Sequence, residues 1–264
     1  MPASVLSRAV GPLVDFVYPP RCPLCGEGIA SGPGLCANCW SELELPGEPS
    51  CTRCQIPLPS AAQESVCGAC LSFPPDHAGV AAAAMYNESA RQLVLRFKHG
   101  RRIGLAKLMG RLMAGRLAAA PANALLVPVP LHRTRLWARG FNQAALLARA
   151  VAGHTGHAVA VDALKRTRST PMLGGLGRAE RARMMRASIV TSRKGAAAVQ
   201  GRDVILVDDV LTSGATSAAC TRALLDAGAR SVRIACFARV REGVREGRVL
   251  ERETPGTSTI PGAA

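Results

Sequence analysis

No apolar run in the 264 residues approaches the ~18 residues that a membrane-spanning helix requires. The opening segment MPASVLSRAVGPLVDFVYPP is interrupted by Arg8, Gly11–Pro12 and Asp15, which leaves no room for a signal-peptide core. It reads as a short amphipathic helix over residues 1–16, and the compartment expected is the cytoplasm, with peripheral attachment to the inner membrane face left open. Aromatic residues make up only 3% of the chain, which argues against a broad stacking surface. Trp40, Phe97, Trp137 and Phe141 are therefore read as core side chains first and as base-stacking platforms second. Lysine is scarcer still, with 29 of the 33 basic residues being arginine. No lysine closes a glycine-rich loop of the nucleoside-triphosphate type, so that class of site is excluded.

The charge that is present is unevenly placed. Residues 1–90 carry a net −5, residues 91–194 a net +19, and residues 195–264 a net +1. A GC-rich coding bias accounts for arginine over lysine as well as selection for forked phosphate contacts does, but it does not account for the clustering. A central surface this basic favours a polyanion: nucleic acid, a pyrophosphate-bearing ligand or acidic lipid.

Cysteine divides the chain. Eight of the ten fall in four CxxC pairs, Cys22/Cys25, Cys36/Cys39, Cys51/Cys54 and Cys67/Cys70. Two thiolates on one tight turn can face one metal, and two such turns complete a tetrahedral site, so the count predicts two structural zinc ions. Residues 17–76 hold little apolar sequence from which to build a core, which is the composition of a module that folds around metal. A sequential pairing of the turns and an interleaved one have the same spacing arithmetic. Cys220 and Cys236 sit in apolar surroundings and read as buried small hydrophobes.

From residue 77 to 240 the texture becomes an alternation of strands and helices. Strands are expected at 79–86, 124–130, 158–166, 203–209 and 231–239. Helices are expected at 89–100, 104–119, 141–156, about 175–189 and 214–227. Such alternation implies an α/β parallel sheet covered on both faces. The tail, 241–264, reads as disordered.

The segment that carries chemistry is VILVDDVLTSGAT, residues 204–216. Four apolar residues make a central strand, and Asp208 and Asp209 follow at its carboxyl end, where open α/β sheets bind ligands. Adjacent carboxylates there can accept hydrogen bonds from a vicinal diol. Thr212, Ser213, Gly214, Ala215 and Thr216 make a small-residue turn into a helix, which offers hydroxyls and backbone N–H groups to a phosphate. Downstream of VPVP, Arg133, Arg135 and Arg139 form a second cluster, in which Arg133 or Arg139 could clamp an anion while Asn142 begins a helix; a solvated basic face is the plainer reading. Lys98 and His99 read either as nucleic-acid contacts or as a helix C-terminus matched to its dipole.

VILVDDVLTSGAT resembles the phosphoribosyl-pyrophosphate (PRPP) motif of type I phosphoribosyltransferases. Together with PPRCPLCG, FKHG, PVPLHRTRLWARGFNQ and TRSTPMLGGLGRAERARMMRAS, it makes the chain similar over about residues 10–240 to the ComF/GntX family, which joins a double zinc ribbon to that domain. The resemblance implies a type I phosphoribosyltransferase fold, with Asp208 and Asp209 on the ribose and Thr212–Thr216 on the 5′-phosphate. It places Leu131, His132 and Arg133 on the pyrophosphate, and makes the stretch 166–186 a hood that closes over the site. Leu173 and Met184 stand near positions where many relatives carry Gln and Asn, so the resemblance does not extend to polar contacts from those two positions of the hood.

The functions implied are binding of PRPP–Mg²⁺ and single-stranded DNA during DNA uptake in natural transformation, with uptake machinery at the inner membrane face as partner, or transfer of phosphoribose from PRPP to a nitrogen acceptor. A third reading, a zinc-ribbon adaptor with a decayed pocket, is disfavoured by the intact acids and loop.

Overall fold

Why the strands fall where they do follows from a period-two division of apolar residues between two packed faces. The computed structural model describes residues 20–29, 34–60, 65–99, 102–167 and 188–241. The helix expected at 1–16, most of the hood, the helix expected near 175–189 up to residue 187 and the tail beyond 241 lie outside these residues; Ile189, the last residue of that expected helix, instead begins a strand. β1 (Val80–Met85), β7 (Ser231–Arg239), β6 (Asp203–Leu211), β2 (Leu125–Pro128) and β3 (Ala158–Val159) form one sheet in that spatial order, with every pair parallel. Along β6, Val204 and Leu206 point into one core cluster while Ile205 and Val207 point into the other. Along β7, Ile234 and Cys236 alternate with Ala235 and Phe237 in the same way. A strand apolar on both sides is stable only when both faces are covered.

The first face is covered by α3 (Glu88–His99), α4 (Leu105–Gly115) and α6 (Gln143–Thr155), which contribute Leu93, Phe97, Met109, Met113 and Leu147 to that core. α4 and α6 meet closely at Gly110, where a Cβ would lie 2.4 Å from the Cβ of Ala150. The second face is covered by α8 (Ala215–Asp226), with Ala219, Cys220 and Leu224 buried, and by α7 (Arg193–Val199). Cys220 and Cys236 are fully buried, as their surroundings in the sequence predict.

The strand expected over 158–166 is in fact two. β3 joins the main sheet, and after a turn β4 (Leu164–Arg166) pairs antiparallel with β5 (Ile189–Thr191). α5 (Arg133–Arg139) was not expected at all, and the reason is visible: none of its side chains is buried, so it carries no apolar stripe to read.

The cysteine-rich module is an internal duplication. In the first copy Gly26 donates to the Cys22 carbonyl (2.9 Å), and in the second Gln55 donates to the Cys51 carbonyl (2.8 Å). The second CxxC of each copy opens a one-turn helix, α1 (Ala37–Ser41) after Cys36 and α2 (Gly68–Ser72) after Cys67. The copies differ at the turn. Gly26 takes φ +82° without strain, whereas Gln55 takes φ +59°, a conformation that disfavours a side chain by ~1–2 kcal/mol. Its retention has a local reason: Gln55 Oε1 accepts from the Ala82 N–H of β1 at 2.6 Å. Glu44 O accepts from Met85 N at 2.8 Å on the same edge strand, so the module caps an edge that would otherwise present unpaired donors.

Candidate functional site

β2 and β6 are neighbours whose chains leave in opposite directions, β2 toward β3 and β6 toward β7. That reversal is the topological switch point at which open α/β sheets hold ligands. β6 pairs with β2 only as far as Val207, yet stays paired with β7 through Leu211, two residues beyond the end expected from the sequence. Asp208 and Asp209 therefore sit where β6 has lost one partner and a crevice opens. Lys98, Val129, Pro130, Leu131, Arg135, Arg139, Asn142, Gln143, Ala144, Arg166, Asp208, Asp209 and Thr216 line it.

Within the crevice Asp208 Oδ1 accepts from the Asp209 N–H at 2.9 Å, and Asp209, 8% exposed, pairs through Oδ2 with Lys98 Nζ at 3.1 Å. Burial and then the neighbouring Asp209 charge push the Asp208 carboxyl up to about 8, against the opposing pull of the Asp209 N–H, Lys98 and Arg166. Lys98 thus faces Asp209 directly, and the acid it leaves without a direct ion pair, Asp208, is the one whose carboxyl is pushed up. Beyond the acids the chain turns through Thr212–Gly214. Gly214 adopts φ +75°, a left-handed value at which a side chain would be strained, and its carbonyl accepts from Ala218 N (2.7 Å) to start α8. No side chain caps that helix, so its first N–H groups remain available to an anion.

Of the residues expected at the site, Asp208, Asp209, Leu131 and Thr216 line the same crevice. Thr212, Gly214 and Ala215 lie half-buried in the adjoining turn, and Ser213 is exposed. His132 and Arg133 are not among the lining residues. His132 is the N-cap of α5, its Nδ1 accepting from Thr134 N at 3.3 Å and lying 2.8 Å from Thr134 Oγ1, while Arg133 is exposed. Arg135 and Arg139, one turn apart on α5, reach the crevice instead. Asn142 caps α6 as its type predicts, accepting from Ala144 N at 3.0 Å.

Three lining residues escaped the sequence reading. Lys98 looked like a helix end or a nucleic-acid contact, but it lies four residues after buried Val94 and beside buried Phe97, and that register is a signal that it faces inward. Gln143 was hidden behind the capping role of Asn142. Arg166 stands at the shared end of the expected strand 158–166 and the expected hood 166–186, and its place in the crevice wall follows from β4 leaving the main sheet. Of the four aromatics, Phe97 and Phe141 join the core, with ring centroids 6.1 Å apart, while Trp40 and Trp137 are exposed.

The eight early cysteines form two groups, Cys22/Cys25/Cys36/Cys39 and Cys51/Cys54/Cys67/Cys70, each with its four sulfurs within 4.8 Å of one another. This is the sequential pairing, and the interleaved one is excluded. Four ligands at zinc–sulfur distances of ~2.3 Å stand roughly 3.8 Å apart in a tetrahedron, and the Cys25–Cys36 and Cys54–Cys67 sulfur separations of 3.5 and 3.6 Å fit that set. Burial raises the Cys22 and Cys51 thiols, but the backbone N–H groups of their own turns and of the facing pair outweigh it and bring each to about 6. The ion's contribution when bound is to cross-link turns that have little core of their own.

One buried side chain ties the second four-cysteine group to the crevice. Arg239 Nε donates to the Cys54 carbonyl at 3.2 Å, and its NH1 donates to the carbonyls of Leu211 (3.1 Å), Thr212 (2.7 Å) and Val240 (2.9 Å).

Comparison with known proteins agrees with this architecture. Residues 13–71 match the double zinc ribbon domain, and residues 150–255 match the phosphoribosyl transferase domain. The chain is 31% identical over 231 residues to a DNA utilization protein, YhgH, of Escherichia coli K12, covering 85% of this chain and 99% of the relative. It is 32% identical over 225 residues to the same-named protein of Salmonella typhi, covering 78% and 97%. It is 28% identical over 214 residues to Competence protein F of Haemophilus influenzae, covering 78% and 90%. Among solved structures, an allosteric regulatory enzyme of purine biosynthesis aligns at 22% identity over 50% of this chain and 25% of its own, with a TM-score of 0.34. Among the described residues no helix is long and apolar enough to cross a membrane.

Proposed function

Because the chain belongs to the ComF family, with its double zinc ribbon and phosphoribosyltransferase domain, we propose that it binds PRPP–Mg²⁺ in the β2–β6 crevice and single-stranded DNA on the basic surface beside it, in DNA uptake. The observation that carries the reading is the meeting of two adjacent acids, an uncapped helix start and several cations at one switch point. In this assignment Asp208 and Asp209 take the ribose hydroxyls and the Thr212–Thr216 turn takes the 5′-phosphate. The Leu131–Arg133 loop, with Arg135 and Arg139 from the helix behind it, takes the pyrophosphate. Mg²⁺ would arrive with the ligand and offset pyrophosphate charge, and the carboxylates of Asp208 and Asp209 are the oxygen donors suited to a hard cation. The domain boundary falls near residue 77, with the ribbons over 17–76 and the binding domain over 77–240.

The DNA arm of the proposal draws support from α5. Trp137 is 88% exposed on a helix that also carries Arg133, Arg135 and Arg139, and an aromatic face flanked by cations is the chemistry that holds an unpaired strand. The relatives' names state DNA utilization and competence of those proteins, and a role in DNA uptake is the finer reading proposed from them and from the ComF resemblance.

The second reading is turnover. The C1′–oxygen bond to pyrophosphate would break while a nitrogen nucleophile bonds to C1′, and pyrophosphate would leave with that bond's electrons. The intact acids and turn favour keeping this reading beside simple binding. A pyrophosphate-release screen with PRPP against a panel of bases and amines, run with and without an oligonucleotide, separates them. Retention of PRPP and oligonucleotide without release supports the binder. Release with one acceptor class supports the enzyme, and neither retention nor release removes both.

A further inference from the structure

Among the described residues, the crevice includes a buried amide donor with no hydrogen-bond partner. Gln143 is the first residue of the 13-residue α6, is only 3% exposed, and lines the crevice. Its Oε1 accepts from Arg139 NH1 at 3.3 Å, which fixes the amide's orientation, since the reverse would set its NH₂ against a guanidinium. Nε2 is thereby the end left over, and among the described residues it has no hydrogen-bond partner. Native proteins leave few buried donors unmet, and those that remain open face a water or a ligand.

The charges around this donor say what kind of acceptor it awaits. Four cationic side chains, Lys98, Arg135, Arg139 and Arg166, line the crevice against the two acids Asp208 and Asp209. Lys98 is matched to Asp209, and Arg135 and Arg139 add positive charge to the same crevice. At Arg166, burial and then the neighbouring Arg135 charge disfavour the charged guanidinium, against the pull of Cys220 and Asp208. Like charges held together beside an uncommitted donor call for an anion with several charges and several oxygens. A single phosphodiester would neutralise one of them.

We propose that Gln143 is a ligand-contacting specificity residue, donating from Nε2 to a non-bridging oxygen of the pyrophosphate group and not to the ribose 5-phosphate end. This rests on the PRPP assignment for its ligand but on separate atoms for its geometry. Arg139 acts through it as a positioning residue, holding the amide so that the donor faces the anion.

The test measures calorimetric binding of inorganic pyrophosphate, PRPP and ribose 5-phosphate, each with Mg²⁺, to the full zinc-loaded chain and to Gln143→Glu and Gln143→Met. Both substitutions keep side-chain length; Glu replaces the donor with an acceptor, and Met removes it. The expected result is at least a tenfold loss of affinity for pyrophosphate and PRPP in both variants, larger for Glu, with ribose 5-phosphate within twofold of wild type. Unchanged pyrophosphate affinity in either variant overturns the assignment. So does a wild type that binds no pyrophosphate, or a loss that extends equally to ribose 5-phosphate, which would mark a structural role. A wild type that binds pyrophosphate but neither PRPP nor ribose 5-phosphate refutes the broader reading while leaving Gln143 to be judged on pyrophosphate alone.

Discussion

The cysteine-rich module and the sheet domain are built on opposite principles within one chain. The module is acidic in balance, and its buried residues are chiefly the cysteines of two small clusters. The sheet domain carries the basic excess and two extensive apolar cores, one on each face. One half is arranged around two four-cysteine sites suited to zinc and the other around apolar cores, and they exchange hydrogen bonds where they touch. The module supplies acceptors to the edge strand β1 through Gln55 and Glu44, and the sheet supplies Arg239 to a cysteine knuckle. The lesson is that a small cysteine-rich module can do mechanical work for a core-built domain, finishing an open edge and meeting the arginine that holds the carbonyls of Leu211 and Thr212.

That contrast can be broken most severely by removing metal. Metal analysis of the wild type should return two zinc ions per chain, and each contributes ~10–16 kcal/mol of apparent binding free energy in small zinc-folded peptides. After chelation, the amides of Ala82 and Met85 should lose exchange protection while those of Ile205 and Leu206, in the centre of the sheet, keep it. Equal loss in both places would mean that the halves fold as one unit.

A narrower cut removes the link alone. Arg239→Met removes the guanidinium from four carbonyls, of which Leu211 keeps the Val240 N–H, and should lower stability in a denaturant melt by about 3 kcal/mol, since hydrogen bonds to charged groups contribute ~1.5–3 kcal/mol each and water recovers part of the loss. An unchanged midpoint would mean that those carbonyls are satisfied without it.

The Asp208 carboxyl sharpens the comparison from the side of the sheet. Its folded value, about 8, lies above the ordinary 3.8, so between those values the unfolded chain has released a proton that the folded chain retains. Stability contributed by this group therefore falls as pH rises from about 4 to about 8 and levels off above. Asp208→Asn removes that dependence, and its melting temperature should exceed wild type near pH 8 and converge with it near pH 4. The opposite ordering at pH 8 would show that the carboxylate is favoured in the fold.

Two smaller effects test packing and exposure. Gly110→Ala drives a methyl against Ala150 between α4 and α6 and should cost roughly 1–3 kcal/mol, measured by the same melt. Trp137→Ala should leave stability within about 0.5 kcal/mol, because the ring is exposed, while weakening oligonucleotide binding by ~1–3 kcal/mol. A stability loss without a binding loss would make Trp137 structural.

Much of this architecture was legible in the residues because its signals are local. CxxC spacing, the apolar run Val204–Val207 and the small-residue turn to Thr216 each announce their own geometry. The less legible parts depend on what arrives from elsewhere in the chain. The sequential pairing of cysteines could not be told from the interleaved one by counting. The split between β3 and β4 depends on β5, which follows more than twenty residues later in the chain. α5 packs nothing and so shows no period. Lys98, Gln143 and Arg166 belong to three separate elements, and only the fold brings them beside Asp208 and Asp209.

The account stands on the acids at the switch point, and calorimetric titration of PRPP–Mg²⁺ into wild type and Asp208→Ala/Asp209→Ala addresses them directly. One PRPP per wild-type chain, with affinity reduced by more than about tenfold in the double variant, a loss above ~1.4 kcal/mol, is the result predicted. Wild-type affinity in the double variant would contradict it, because the ligand would then be held somewhere other than the β2–β6 crevice.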